Sequence, residues 1–214
     1  MDRGKFYRAI RQNPFPGRLM QLQVDGIEVI LNEWERRGLE DTRYLAYILA
    51  TTFHETAATM QPIAEYGKGR GRRYGHADPE TGQTYYGRGF VQITWRDNYK
   101  RFGDLLDIDL ENNPDLALES ETATQILFEG MIRGGFTGRA LKHYFRDGTL
   151  ESDWFNARKI INRLDKAERI GKQGRAFWRA ILIGEGKLAE AAMVPKGFGA
   201  DAGVDEYVQL EEEF

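Results

Sequence analysis

The 214-residue chain contains no cysteine. Disulfides, thiolate metal sites and a cysteine nucleophile are therefore excluded. Long apolar runs are missing too: none approaches the roughly 18 residues of a membrane-spanning helix, so no integral membrane association is expected. The first seventeen residues, MDRGKFYRAIRQNPFPG, lack the apolar core of a secretory signal. The expectation is accumulation in the cytoplasm, with any work outside the cell reached by another route of release or export. Charge of one sign is also scarce. Thirty basic against 33 acidic residues leave a net charge of -3, which gives little support for a dedicated nucleic-acid binder. Only three histidines are present, His54, His76 and His143, and His54-Glu55-Thr56-Ala57 is followed by Ala58 where HExxH needs a second histidine. No metal site and no cofactor are expected.

What is present suits one folded domain. A hydrophobic share of 41% fills a sizeable core, and disorder and coiled coil fail on composition. After a short helix or arm ending at Pro14, Pro16 and Gly17, apolar residues recur at helical spacing over 19–37, and Gly38 is a suitable stop. Asp41 or Thr42 can cap a helix that runs to about Phe53 and is apolar on several faces, which makes it central. Residues 66–89 carry seven glycines and suit no helix. A long ordered loop or short hairpin is expected there. Further helices are expected over 95–106, 119–132, from Asp153 to Ile161, and 165–183, with a polar loop and short helix over 136–149. The domain is read as residues 1–186, with a loosely packed tail over 187–214. A monomer is expected.

Two acidic residues stand out by position. Glu55 closes the apolar helix, directly after His54, and Glu65 lies at the edge of the glycine-rich loop. A carboxyl half buried among apolar groups is disfavoured as an anion, while a better hydrated one stays ionised. Glycoside hydrolysis uses that division of labour. Glu80, in the same loop region, competes for the second role. A close pair among 33 acids is ordinarily surface charge, so spacing alone leaves the matter open. His54 is read as a hydrogen-bonding support for the acid. The segment YYGRGFVQITWRDNY, Tyr85 to Tyr99, offers Tyr86 and Trp95 as faces for sugar rings. Gln92, Thr94 and Asn98 can bond sugar hydroxyls and acetamido groups. Arg88 is expected either to touch substrate or to pair with a catalytic carboxylate. Its flanking glycines lack the lysine and hydroxyl of a phosphate loop.

These residues belong to a wider pattern. FHET (Phe53 to Thr56), YYGRGFVQITWRDNY, NNPDLAL (Asn112 to Leu118), GGFTG (Gly134 to Gly138) and NARKIINRLDKAERI (Asn156 to Ile170) occur in that order. Together they resemble glycoside hydrolase family 19, the plant-type chitinases and their bacterial and phage relatives, endolysins included, over about residues 40–185. The resemblance implies a mainly α, lysozyme-like, two-lobed fold with long loops and at most a small β-hairpin. It also implies inverting cleavage of a β-1,4 link in chitin or peptidoglycan glycan strands. Glu55 then corresponds to the general acid, Glu65 to the general base with Glu80 as its alternative, Thr94 to the residue that holds the attacking water, and Asn162 to a sugar-binding asparagine. The family's usual glycine after that asparagine is Arg163 here, and the cysteines of the plant enzymes are absent. A non-catalytic protein that keeps the fold and binds or scaffolds the same polymer is the alternative.

Overall fold

A computed structural model describes residues 1–146 and 152–189. Its helices are α1 (Arg3–Gln12), α2 (Gln21–Arg36), α3 (Thr42–Glu55), α4 (Arg96–Leu106), α5 (Ser120–Arg133) and α6 (Ala167–Gly184). The expected mainly α fold is what forms. The boundaries follow local chemistry. Asp2 and Asp41 accept backbone N–H groups at the starts of α1 and α3, each at 3.0 Å. Gly134 takes the left-handed conformation that ends α5.

α3 is the axis of the molecule. Every residue from Arg43 to Phe53 is buried, as an all-round apolar helix requires. Its most extensive partner is α6. Phe53 packs edge-on against Phe15 and Phe177, with ring centres 4.9 and 6.0 Å apart. A second aromatic chain runs from Tyr47 through Phe145 and Trp154 to Trp178.

The only sheet among the described residues pairs β1 (Ile63–Ala64) with β2 (Arg88–Gly89), antiparallel, with Ile63 opposite Gly89. It is not a tight hairpin inside the glycine-rich stretch. Its two short strands close the base of a long loop, residues 65–87, so that both ends of the loop return to one place.

The helix expected from Asp153 to Ile161 is shorter and tighter, a 3-10 segment at Asn156–Ile160. Its N-cap is Phe155 rather than the expected Asp153, although the Asp153 carboxylate accepts from the Asn156 N–H at 2.9 Å. At its end the single Thr137 hydroxyl proton is shared between the carbonyls of Lys159 and Ile160, at 2.9 and 3.0 Å. The run that follows, Asn162 to Lys166, is exposed and carries no apolar stripe to extend a helix. In the expected polar loop over 136–149, Leu141, Tyr144 and Phe145 are buried as anticipated, and positions 147–149 lie outside the described residues. The same holds for the expected tail beyond residue 189. No described helix is long and apolar enough to cross a membrane.

Candidate active site

Glu55 is the last residue of α3, and its side chain is 17% exposed. Arg158, buried in the 3-10 segment, donates from Nη1 to Glu55 Oε1 at 2.5 Å. Its Nε is held by the Asp165 carbonyl at 3.0 Å. The guanidinium is thus oriented from both sides. The support expected from His54 comes from Arg158 instead: among the described residues His54 makes no hydrogen bond to Glu55. His54 is half-buried, and burial lowers its pKa below the ordinary 6.5, with the Glu55 charge opposing that shift.

Beyond Glu55 the chain turns sharply. Thr56 donates its hydroxyl to the Thr52 carbonyl at 2.7 Å and accepts the Met60 N–H at 3.0 Å. Ala57, Ala58 and Met60 all have positive φ. The turn is pressed against α2 at Gly26, where a Cβ would lie 1.7 Å from the Met60 carbonyl oxygen. No side chain fits there.

Glu65 follows β1, and its N–H and carboxylate make three bonds. Its N–H donates to the Gly87 carbonyl at 2.7 Å. Its Oε1 accepts from the Tyr74 hydroxyl at 2.9 Å, and its Oε2 from the Gly87 N–H at 3.1 Å. Gly87 has no room for a side chain: a Cβ would sit 2.8 Å from Gln92 Oε1 and 3.3 Å from Glu65 Cβ. Burial raises the Tyr74 pKa, and the bond to Glu65 raises it further, so the phenol stays a donor well into the basic range. Gln92 clips the strands together, donating to the carbonyls of Ile63 at 2.7 Å and Gly89 at 3.0 Å.

Glu80 is differently placed. Its side chain is 73% exposed and meets Arg96 at 2.6 Å, in a cluster with Asp78 and Glu111. Glu80 and Glu111 raise the Arg96 pKa. Among the described residues Glu80 makes no hydrogen bond or ion pair with Glu65 or its partners, and it anchors the loop to Arg96 at the start of α4.

The remaining predicted positions divide into inner and outer groups. Arg88 is buried and bonds Asp115 at 2.7 Å, the carbonyls of Thr84 and Tyr86, and the Tyr99 hydroxyl. Its carboxylate partner is therefore Asp115, and the expected pairing with a catalytic carboxylate does not form. Tyr86 is 6% exposed, with the Arg88 guanidinium 3.5 Å from its ring centre. That ring stacks on its own arginine rather than offering a face to a sugar. Asn98 donates to the Thr94 carbonyl at 2.7 Å and accepts from Arg101 at 2.9 Å. Trp95, by contrast, is 47% exposed, edge-on to Tyr74 at 5.3 Å. Asn162 is exposed as well. Thr94 is half-buried. Among the described residues no group of three or more potential metal ligands occurs. A cavity of about 170 Å³ lies elsewhere, lined by Arg3, Trp34, Glu35, Thr42 and Glu185 among others, and none of the candidate residues borders it.

Sequence reasoning missed Arg158, Tyr74 and Gly87 as holders of the two carboxylates. Arg158 sits within NARKI and Gly87 within YYGRG, so both lay inside quoted motifs. Nothing local marks Tyr74.

The family model described as Chitinase class I matches residues 40–137. This segment, just under half of the chain, is similar to glycoside hydrolase family 19. Within it lie Glu55, Glu65, Glu80, Thr94 and the strand pair, whereas Arg158 and Asn162 lie beyond it. Among relatives, "Endochitinase CH5B" of Phaseolus vulgaris is 39% identical over 125 residues, covering 52% of this chain and 37% of its own length. "Chitinase 11" of Oryza sativa subsp. japonica is 42% identical over 86 residues, covering 37% of this chain and 32% of its own. The chain thus spans about a third of the length of the curated relatives it matches. Chitinase C from Streptomyces griseus HUT6037 superposes with a TM-score of 0.56 at 19% identity, over 85% of this chain and 75% of that one. At that identity the likeness is one of fold, and it agrees with the lysozyme-like family 19 architecture implied by the motifs.

Proposed function

We propose that the chain hydrolyses β-1,4 links in an N-acetylated amino-sugar polymer with inversion, using Glu55 as general acid and Glu65 as general base. The observation that carries this reading is the unequal holding of two carboxylates at the ends of one turn-and-strand segment. Arg158 occupies Glu55 Oε1. A guanidinium only donates, so the proton for the leaving oxygen belongs on Oε2. Glu65 accepts a neutral O–H on one oxygen and a backbone N–H on the other. Both donors suit an acceptor-only carboxylate, and each oxygen keeps capacity to accept from water.

The chemistry then runs in one displacement. Glu65 removes a proton from water as the water oxygen attacks the anomeric carbon. The bond to the leaving sugar oxygen breaks, and that oxygen takes the Glu55 proton. Inversion needs carboxyl groups roughly 6.5 to 9.5 Å apart, to leave room for the water. Thr94 is assigned to steady that water, and exposed Trp95 and Asn162 to contact sugar. Relatives named as chitinases support chitin as substrate; peptidoglycan carries the same class of link.

The test is hydrolysis of chitin oligomers and purified peptidoglycan, with product masses and anomeric form recorded. An initial α anomer is expected. Glu55→Gln should abolish turnover, and Glu65→Gln should lower it by at least about 10²-fold. Glu80→Gln should stay near wild type, because that carboxylate serves Arg96. A severe defect in Glu80→Gln with an active Glu65→Gln would move the base to Glu80. Absence of any turnover by the wild-type chain would favour the binding-protein alternative.

A further inference from the structure

The segment directly after Glu65 reads Tyr66, Gly67, Lys68, Gly69, Arg70, Gly71, Arg72, Arg73, Tyr74. Four cations fall within six residues, in a chain whose net charge is -3, and no acid occurs from Tyr66 to Ala77. All four side chains are exposed. Among the described residues none makes a salt bridge or a side-chain hydrogen bond. Other arginines here are mostly paired, Arg36, Arg37, Arg88, Arg96 and Arg158 among them.

The loop is built rather than loose. Successive turns bond Lys68 N–H to Glu65, Arg70 N–H to Gly67 and Arg72 N–H to Gly69. Gly69 and Gly75 touch so closely that a Cβ on Gly75 would lie 2.0 Å from the Gly69 carbonyl oxygen. That contact pinches the knuckle shut and leaves its cations facing outward. One end is Glu65 and the other is Tyr74, bonded to each other. The backbone that carries the cations is therefore fixed beside the proposed general base. Unpaired like charges held this close repel one another and destabilise the folded chain. A bound anion would remove that cost.

Resting on the reading of the site given above, we infer that this knuckle selects a carboxylate-bearing amino-sugar strand, peptidoglycan, over neutral chitin. Chitin offers a cationic rim nothing to pair with. In peptidoglycan every second sugar carries a lactyl group and a peptide stem with free carboxylates. A strand laid across Glu65 brings those carboxylates to Lys68, Arg70, Arg72 and Arg73, where guanidinium forks bind them well.

Binding can be read apart from turnover. In a Glu55→Gln background, pelleting with teichoic-acid-free Gram-negative sacculi is compared with pelleting on colloidal chitin. The comparison is made from about 0.05 to 0.5 M salt, a range over which screening of exposed charges becomes strong. Sacculi binding should fall steeply with salt and chitin binding little. Replacing the four cations together (K68Q/R70Q/R72Q/R73Q) should weaken sacculi binding at low salt at least about tenfold more than chitin binding. The charge-keeping R70K/R72K/R73K chain, of matched thermal stability, should stay close to the parent. Sacculi whose carboxylates have been converted to amides should bind the parent no better than the four-glutamine variant does. Amidase-stripped strands, which keep only lactyl carboxylates, apportion the effect between lactyl and stem groups. Equal salt dependence on both polymers, or sacculi binding untouched by the four-glutamine change, would overturn the inference. So would tighter retention on double-stranded DNA than on sacculi, which would mark an indiscriminate polyanion surface. Turnover by the unmutated chain remains a separate measurement, so failure of the hydrolase reading is distinguishable from failure of this one.

Discussion

At the residue scale, the two carboxylates differ through their neighbours rather than through their own type. Tyr74 is a positioning residue for Glu65. Tyr74→Phe keeps the ring beside Trp95 and removes one O–H bond to a charged group, an interaction of about 1.5–3 kcal/mol. The expected result is a kcat lowered about 10- to 100-fold, with KM close to wild type and Tm lower by only several degrees. An unchanged kcat would remove Tyr74 from the machinery. His54 makes a separate prediction. Burial disfavours its imidazolium, so the folded pKa lies below 6.5. The unfolded chain then binds the proton at higher pH than the folded one. Stability from this group is fully present above pH 6.5 and is lost as pH falls below it. Tm measured between about pH 7.5 and 5.5 should therefore drop towards acid, and His54→Asn should flatten that slope. An identical slope in the variant would show that another group sets it.

At the element scale, the site depends on a turn that joins α3 to β1 and on the surface against which the turn lies. Gly26→Ala places a methyl on the Met60 carbonyl. α2 or the turn must move, and overpacking of this kind costs about 1–3 kcal/mol. Urea unfolding should show that loss, and activity should fall too, because the same turn sets Glu55 relative to Glu65. A fully active, fully stable variant would mean the two surfaces separate easily. The elements themselves were readable to different depths. Asp41 as a cap, Gly38 as a stop and the all-round apolar character of α3 are local signals, and sequence analysis found them. The helix expected over 153–161 was overextended mainly at its start, where residues 154 and 155 form a turn before the 3-10 segment begins at Asn156. The strand pair was invisible as such, since two-residue strands carry no periodicity. Glu55 and Glu65 stood out by position and by family motif. Their partners Arg158 and Tyr74 did not, because one is 103 positions away and the other sits in a glycine-rich loop without pattern.

At the scale of the whole molecule, a cysteine-free chain holds long loops by close glycine contacts and ion clusters, and it holds its central helix by an aromatic core. Phe177 on α6 lies against both Phe15 and Phe53, and Phe53 is two residues before Glu55. All three rings are almost fully buried. Phe177→Ala leaves a cavity and should cost about 3–5 kcal/mol, which lowers Tm by about 10 °C in a chain of this size. Two outcomes are then separable well below the new Tm. If the backbone bonds of α3 and the Arg158 contact suffice to place Glu55, kcat stays near wild type and only thermal resistance is lost. If the aromatic contacts themselves set the end of α3, kcat falls at every temperature while circular dichroism remains native. The first outcome is expected, because Arg158 is fixed through Asp165 and reaches Glu55 without passing through Phe177. Arg158→Gln supplies the converse: it should lower kcat more than it lowers Tm, and the opposite ordering of the two variants would place the burden of positioning on the core.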